Sequence, residues 1–356
     1  MARDTVVSRQ PTAYRNTPIA GDFRRDQSLD VAKGIGIILV VLGHCLDGLK
    51  ASNFFSPTLL WPIVAIYVIY LFHMPLFFVV SGHLASGKHR PVKSTLAKLV
   101  PSIVYPYFLW SILQGLVQVY LTKYTTSHVP ISSLYKILWI PIVPYWFLYA
   151  LFCCHVGYLA IRKLSYPVQF GIAFAVFAST LFFIDPISSA HLQIVLETTR
   201  GFLFFVIGVI SVSQVRQLGL WAAIAASVLF ALLAMVFYQS QWNGAKGSLA
   251  VLPAALAGII ATLAWSRLLA AKPSRFSATL AFLGRYSMSI YVMHIFFTAA
   301  ARIMLKRLGT EPTVTGTLLE IVTATILGVA LPLAINWLIS KFDLDSWFGI
   351  QHMETN

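Results

Sequence analysis

Long apolar runs separated by short polar segments dominate this sequence. A helix needs about 20 predominantly apolar residues to cross a bilayer, and ten runs approach or exceed that length. They cover residues 29–48, 58–83, 95–121, 137–161, 167–184, 193–212, 218–238, 248–270, 279–304 and 315–340. The pattern predicts an all-α polytopic integral membrane protein with about ten transmembrane helices.

Composition agrees with this pattern. The chain has 356 residues, of which 58% are apolar and 11% are charged, whereas soluble domains are about 25% charged. Residues 1–28 are polar and lack the short apolar core of a secretory signal peptide, so we expect the first span to be retained. We predict a disordered basic cytoplasmic tail over 1–28, a membrane domain over 29–340 and a short cytoplasmic tail over 341–356.

The net charge of +14 comes from cations that recur between the apolar runs and form no dense patch. Of the 26 lysines and arginines, 17 fall on the side of the N-terminus, eight fall on the opposite side, and Lys33 lies within the first span. Cytoplasmic segments carry the excess of lysine and arginine, so both termini are predicted to be cytoplasmic. This distribution argues against a nucleic-acid partner. Anionic membrane lipids are the expected contact of the basic tail.

The first apolar run contains two polar residues on one helical face. Lys33 and His44 are eleven positions apart, which places them about 16 Å apart along a helix and nearly in line. Ionisable residues inside a span usually mark a functional site; the alternative is a lysine that reaches the interface and a histidine that packs. Asp30 lies one turn before Lys33 and is expected to pair with it. Asp47 lies one turn after His44 and either holds one imidazole nitrogen or is a solvated loop residue.

The second run ends in the segment LFHMPLFFVVSGHL. Pro75 frees a backbone carbonyl beside His73, and irregular backbone at membrane depth is tolerated where it is buried in protein or lines a wet cavity. We therefore predict that His73 shares a cavity with Lys33 and His44, although a structural histidine is the alternative. Ser81 and the glycine after it are expected to let another backbone approach closely.

The segment after this run is strongly basic, with Lys88, Arg90, Lys93 and Lys98. Positive-inside bias is sufficient to explain it. The alternative is a docking surface for a phosphorylated cytoplasmic cofactor.

Several residues near the predicted outer ends of later spans are candidates for acceptor binding. Trp146 and Tyr149 belong either to an aromatic belt or to a surface that stacks against a sugar. Arg200 follows Glu197 by three residues, so it forms an exposed ion pair or contacts an acceptor. The three cysteines lie in apolar runs and suggest neither a disulfide nor a metal site, and no metal-binding motif is present in the sequence.

Four segments together resemble the membrane-bound acyltransferase 3 family: SLDVAKGIGIILVVLGH, LFHMPLFFVVSGHL, PYWFLYALF and GRYSMSIYVMH. The fucose 4-O-acetylase-like glycan O-acetyltransferases are the most similar branch. The resemblance implies that His44 is the catalytic histidine, and the last segment places a further family motif on Tyr291 and His294. Many members carry arginine where this chain has Lys33, and Lys98 is the only candidate for a basic pair that many members carry in the third helix.

The resemblance implies a membrane-embedded O-acyltransferase of the bacterial cytoplasmic (inner) membrane. Such an enzyme moves an acyl group, usually acetyl from acetyl-CoA, to a hydroxyl of an envelope glycan or lipid-linked glycan, with no metal. The alternatives are a transporter or flippase whose histidine and lysine line a permeation path, and a non-catalytic acyl-CoA sensor. The candidate catalytic residues are His44, Lys33, Asp30 and His73. The candidate donor-binding residues are Lys33, Ser81, Lys88, Arg90, Lys93 and Lys98. The candidate acceptor-binding residues are Trp146, Tyr149, Arg200, Tyr291 and His294.

Overall fold

A computed structural model describes residues 26–55, 59–86, 91–120, 131–183, 190–240 and 244–353, and these residues form helices and connecting turns without a strand. The first seven α-helices are α1 (Gln27–Ala51), α2 (Trp61–Ala85), α3 (Val92–Leu99), α4 (Tyr105–Tyr120), α5 (Trp146–Ile161), α6 (Tyr166–Phe183) and α7 (Ala190–Ile210). The remaining ones are α8 (Val212–Val215), α9 (Leu220–Ser240), α10 (Gly244–Ala271), α11 (Arg275–Arg285), α12 (Ser287–Arg307), α13 (Val314–Lys341) and α14 (Asp345–Phe348). A π-helical turn (Val100–Val104) joins α3 to α4, and a 3-10 helix (Ile131–Leu138) precedes α5.

Nine helical segments in the described part of the chain are long and apolar enough to cross a bilayer, counting α3, the π turn and α4 as one. The all-helical, multi-pass architecture is therefore confirmed. The side of the membrane on which the termini lie stays a prediction. The predicted N-terminal tail falls almost entirely outside the described residues.

Two predicted spans have different boundaries in the structure. The fourth was expected over 137–161, but α5 has only 16 residues and begins at Trp146, because Pro141 and Pro144 interrupt the approach to it. The ninth was expected over 279–304, but the helix is interrupted at Tyr286, which lies between α11 and α12. The separate α11 begins with a capping box at Ser274.

Helix α1 packs against five other helices: α2, α10, α11, α12 and α13. Glycines allow the closest of these approaches. A Cβ atom added to Gly34 would lie 2.0 Å from the carbonyl oxygen of Leu280, and one added to Gly284 would lie 1.7 Å from that of Asp30. The short α11 therefore lies backbone to backbone against the Lys33 end of α1.

Helices α2 and α7 meet in the same way. A Cβ atom at Gly82 would lie 1.9 Å from the carbonyl oxygen of Phe205, and one at Gly208 would lie 2.0 Å from that of Val79. The close backbone approach predicted beside Ser81 is confirmed, since a larger side chain at Gly82 would force the two helices apart.

The segment that follows α13 folds back onto α4. Tyr105 donates its hydroxyl hydrogen to the carbonyl of Trp347, and the indole N–H of Trp110 lies 3.0 Å from the carbonyl oxygen of Phe348. Residues 342–353 are thus packed against the bundle over the part that the structure describes.

A carboxylate at the start of α14 holds this segment. Asp345 accepts hydrogen bonds from the hydroxyl of Ser340 and from the imidazole of His352, the latter at 2.8 Å. Burial raises the pKa of the Asp345 carboxyl, but these hydrogen bonds outweigh it and the net pKa lies below the ordinary value. The ionised carboxylate is therefore the form that stabilises the packed segment.

Candidate active site

Three histidines from three helices come together inside the bundle. His44 of α1 lies beside His294 of α12, with ring centroids 5.2 Å apart. Tyr70 of α2 lies between His44 and His73, with its ring 6.3 Å from that of His44 and 4.9 Å from that of His73. Residues that are far apart in the sequence thus form one aromatic cluster beside α1.

The backbone fixes the tautomer of two of these rings. The Nδ1 atom of His73 lies 2.7 Å from the carbonyl oxygen of Ile69, and that of His294 lies 2.7 Å from the carbonyl oxygen of Tyr291. A carbonyl oxygen only accepts, so Nδ1 carries the hydrogen in both rings and Nε2 is left as an acceptor.

A cavity of about 310 Å³ opens beside this cluster. It is called the histidine cavity below. Its lining consists of His44, Tyr70, His73, Met74, Pro75, Ile140, Pro141, Val143, Pro144, Trp146, Gln193, Ile194, Glu197, Arg200 and Tyr291. The cavity therefore combines two imidazoles, an aromatic wall and a charged rim.

The proline-rich wall of the histidine cavity is held in place by α12. The hydroxyl of Tyr291 donates a hydrogen bond to the carbonyl of Pro144, and the hydroxyl of Tyr145 donates one to the carbonyl of Val292 at 2.8 Å. Buried tyrosines normally satisfy their hydroxyls in this way. Tyr291 thus lines the cavity and also positions its wall.

The rim of the histidine cavity carries paired charges. Glu197 and Arg200 form the ion pair expected from their spacing, and Gln193 and Trp146 stand on the same lining. Tyr149 does not line this cavity; its ring lies against Tyr107 at 5.9 Å. Of these two residues, only Trp146 lines the histidine cavity.

A second cavity, of about 250 Å³, lies farther along α2 and α5. It is called the basic pocket below, and its lining consists of Ser81, Leu84, Ala85, Thr95, Lys98, Leu99, His155, Tyr158, Leu159 and Arg162. The lining has two cations, four other polar side chains and an apolar remainder, a composition that suits an anionic group with an apolar arm.

Only part of the basic pocket is predictable from the sequence. Ser81 and Lys98 are among the predicted donor-binding residues, whereas His155 and Arg162 are not. Their spacing could have indicated this part of the pocket. Tyr158 and Arg162 follow His155 by three and seven residues, which puts the three side chains on one helical face. The other predicted cations are placed differently: Lys93 is exposed on α3, and Lys88 and Arg90 lie outside the described residues.

Lys33 lies in neither cavity. It forms an ion pair with Asp30 at 2.8 Å, as its spacing predicted, and both side chains are largely buried. The ring of Phe77 lies against Gly36, where an added Cβ atom would be 2.9 Å away. Phe77 therefore packs on α1 at a position between Lys33 and His44. The lining of the histidine cavity contains His44 and His73 without the lysine.

His294 also lies outside the lining of the histidine cavity. It is fully buried, behind His44, and therefore does not reach an acceptor there. Among the described residues, no group of three or more His, Cys, Asp or Glu side chains is arranged to hold a metal ion.

A comparison with known protein families identifies the family to which this chain is similar. A family model described as an acyltransferase domain, the acyltransferase 3 family, matches residues 26–337. This range contains both cavities and all but the last turn of α13.

Two curated relatives match parts of the chain. Nodulation protein NolL of Sinorhizobium fredii is 46% identical over 80 residues, which is 22% of this chain and 20% of that protein. Nodulation protein NolL of Mesorhizobium japonicum is 32% identical over 155 residues, which is 41% of this chain and 38% of that protein. The matches thus span well under half the length of these relatives. No solved structure matches.

Proposed function

Because the chain belongs to the acyltransferase 3 family, we propose that it is a membrane-embedded O-acyltransferase that uses acyl-CoA as donor and a glycan hydroxyl as acceptor. Acetyl-CoA is the proposed donor, and the fucose 4-O-acetylase-like branch is the proposed relationship within the family. The observation that carries the proposal is the pair of cavities on shared helices. One is lined by His44 and His73, and the other is lined by Lys98 and Arg162.

The basic pocket suits the donor. Coenzyme A is polyanionic, and Lys98 and Arg162 are the cations that line this pocket. Arginine binds phosphate in a bidentate manner, whereas lysine acts as a point charge. The apolar part of the lining suits the pantetheine arm. In this proposal Lys33 does not bind the donor, and its ion pair with Asp30 stabilises the first span.

The thioester then reaches His44 along α2 and α5. From His73 to Ser81 the path is about 12 Å along α2, and it passes Phe77 and Phe78, which both pack on Phe147. In the proposed complex the pantetheine arm follows α2 and α5 past these rings, the phosphates stay in the basic pocket, and the carbonyl enters the histidine cavity.

The acceptor occupies the rest of the histidine cavity. Trp146 offers a face on which a sugar ring can stack, and the polar groups of Gln193, Glu197 and Arg200 are placed to receive its other hydroxyls. A cell-envelope or secreted polysaccharide, such as an exopolysaccharide, is the proposed acceptor class. Since two matched relatives are named as nodulation proteins, a nodulation-type oligosaccharide belongs in the assay panel.

His44 is the proposed general base. As the acceptor oxygen attacks the thioester carbonyl carbon, an imidazole nitrogen of His44 takes the hydroxyl proton. The tetrahedral intermediate then collapses with cleavage of the C–S bond, and the imidazolium returns the proton to the departing thiolate. The products are an O-acyl ester and free CoA. A positioned base of this kind contributes about 10²–10⁴-fold to the rate.

The proposed setting is a bacterial cytoplasmic membrane with both chain termini in the cytoplasm. The basic pocket then faces the cytoplasmic supply of acyl-CoA, and the histidine cavity faces the opposite side. The excess of lysine and arginine in the segments on the N-terminal side supports this orientation.

The test is acyl transfer by the purified protein in nanodiscs, with radiolabelled acetyl-CoA and a panel of glycans. We expect labelled ester and an equal amount of free CoA, and His44→Ala should abolish both. Lys93→Ala is the control, since it removes an exposed cation outside the basic pocket. Unchanged transfer by His44→Ala would refute the assignment. Movement of a glycan across the membrane without ester formation would favour the transporter alternative.

A further inference from the structure

One imidazole nitrogen in the core has no hydrogen-bond partner among the described residues. The Nε2 atom of His294 is buried without a hydrogen bond, and the residue has no solvent-exposed surface. Its Nδ1–H is already used by the carbonyl of Tyr291, so Nε2 is an acceptor. An unsatisfied buried acceptor costs stability unless a donor reaches it.

The ring of His44 is the donor group within reach. Its centroid is 5.2 Å from that of His294, and the two rings are tilted by 39°. An N–H···N hydrogen bond of about 3 Å between two imidazoles separates their centroids by roughly 5 Å. The observed separation of 5.2 Å is therefore in the range of such a hydrogen bond, although the bond is not formed in this arrangement of the rings.

The surrounding helices hold His294 against α1. A Cβ atom added to Gly328 of α13 would lie 2.8 Å from a methyl group of Val41 and 2.7 Å from that of Thr298. Three helices therefore meet at a glycine beside His294. Asp47, the carboxylate considered for this role from the sequence, is exposed. His294 is thus the buried group that can orient His44.

We propose that His294 is a positioning residue for the reaction, with its Nε2 accepting a hydrogen bond from one N–H of His44. This inference rests on the proposed function. The bond selects one tautomer of His44 and turns its other nitrogen, which bears the lone pair, toward the histidine cavity. When His44 takes the proton of the acceptor hydroxyl, the N–H that points to His294 keeps its hydrogen, and His294 stays neutral. The transferred proton passes on to the leaving thiolate.

The test compares two replacements. His294→Gln keeps an acceptor near the position of Nε2, and His294→Leu removes it. We expect His294→Leu to lower kcat by about 10–100-fold, the range seen when the group that orients a metal-ligating histidine is lost, with KM unchanged for donor and acceptor. His294→Gln should recover most of kcat. Thr298→Val is the matched control, because it changes a buried polar side chain one turn away on the same helix.

Thermal melting in nanodiscs shows whether each variant folds. Equal loss of kcat in both His294 variants, with melting temperatures like that of the control, would overturn the proposal. So would wild-type kcat in His294→Leu.

A spectroscopic measurement separates this inference from the proposed function. In protein labelled with ¹⁵N-histidine, the signals of His44 are assigned by their loss in His44→Gln. We expect one protonated and one unprotonated nitrogen in the wild type and a mixture of tautomers in His294→Leu. Identical His44 signals in both would refute the hydrogen-bonded pair of His44 and His294, called the dyad below, even if acyl transfer is found. If no transfer is found, the dyad is still supported by a tautomer change, and the proposed function fails alone.

Discussion

Removal of the cations of the basic pocket should weaken donor binding without slowing the chemical step. Lys98→Gln and Arg162→Gln each remove one positive charge from the lining while keeping most of the side chain. His44 lines the other cavity, and the two cavities are separated by about 12 Å along α2. The base is therefore unaffected by either substitution, and only the affinity for the phosphates changes.

The expected size follows from the hydrogen bonds that each substitution removes. A hydrogen bond to a charged group contributes about 1.5–3 kcal/mol, and every 1.4 kcal/mol is tenfold in affinity. Each substitution should raise the Kd for acetyl-CoA by about 10–100-fold. Because Lys98 and Arg162 line one pocket, their effects need not add. The affinity of the double variant should fall by less than the product of the single effects if both cations hold the same phosphate.

Calorimetric titration with CoA and with acetyl-CoA measures these affinities, and steady-state kinetics at saturating donor measures kcat. Titration with dephospho-CoA, which lacks one phosphate group of CoA, identifies the phosphate involved. A variant without the cation that binds this phosphate should bind CoA and dephospho-CoA equally well. Lys93→Gln is the matched control, because it removes an exposed charge from the same helix as Lys98. If the pocket variants bind CoA within twofold of the wild type, or if Lys93→Gln weakens binding equally, the assignment of the basic pocket to the donor is refuted.

Three further predictions concern other parts of the chain. Lys33→Met takes the cation away from the buried carboxylate of Asp30 and should lower the unfolding free energy by about 3 kcal/mol. Addition of Asp30→Asn should recover most of this stability in thermal melts, and no recovery would contradict the pairing. Trp146→Ala should raise the acceptor KM by about tenfold because stacking is removed, with donor Kd unchanged. Since the pKa of Asp345 is lowered in the folded state, its contribution to stability is present above the ordinary value of about 3.9 and is lost as the pH falls through the folded pKa. Proteolysis of residues 342–353 should therefore accelerate below about pH 4 in the wild type, whereas Asp345→Asn should be cleaved rapidly at every pH. A rate of proteolysis that does not depend on pH in the wild type would refute the link between Asp345 ionisation and the packing of this segment.

The spans and the alignment of Lys33 with His44 were predictable because both signals are local in the sequence. A run of apolar residues reports a span wherever it packs, and the placement of Lys33 and His44 on one face follows from an unbroken α1. The predicted cavity that joins Lys33 to His44 was not predictable in this way. The ring of Phe77 belongs to α2, and only the packing of α2 on Gly36 shows that it packs on α1 between the two residues.

The basic pocket was only partly predictable for a related reason. Lys98 is on α3 and Arg162 directly follows α5, and sequence spacing gives no sign that they line the same pocket. The break at Tyr286 was also missed, because the segment around it contains no proline. The cap at Ser274 and the contact of Gly284 with α1 favour a separate helix there, and that contact is between elements distant in the sequence.

The two cavities and the dyad together predict opposite kinetic signatures, and this opposition discriminates among the candidate functions. Loss of a cation from the basic pocket should change donor affinity alone, whereas loss of the Nε2 acceptor of His294 should change kcat alone. A permeation path offers no reason for such a separation, because residues that line one route affect one flux. A non-catalytic sensor has no kcat to lose. An enzyme that binds its donor at Lys98 and Arg162 and carries out chemistry at His44 requires both signatures in the same protein.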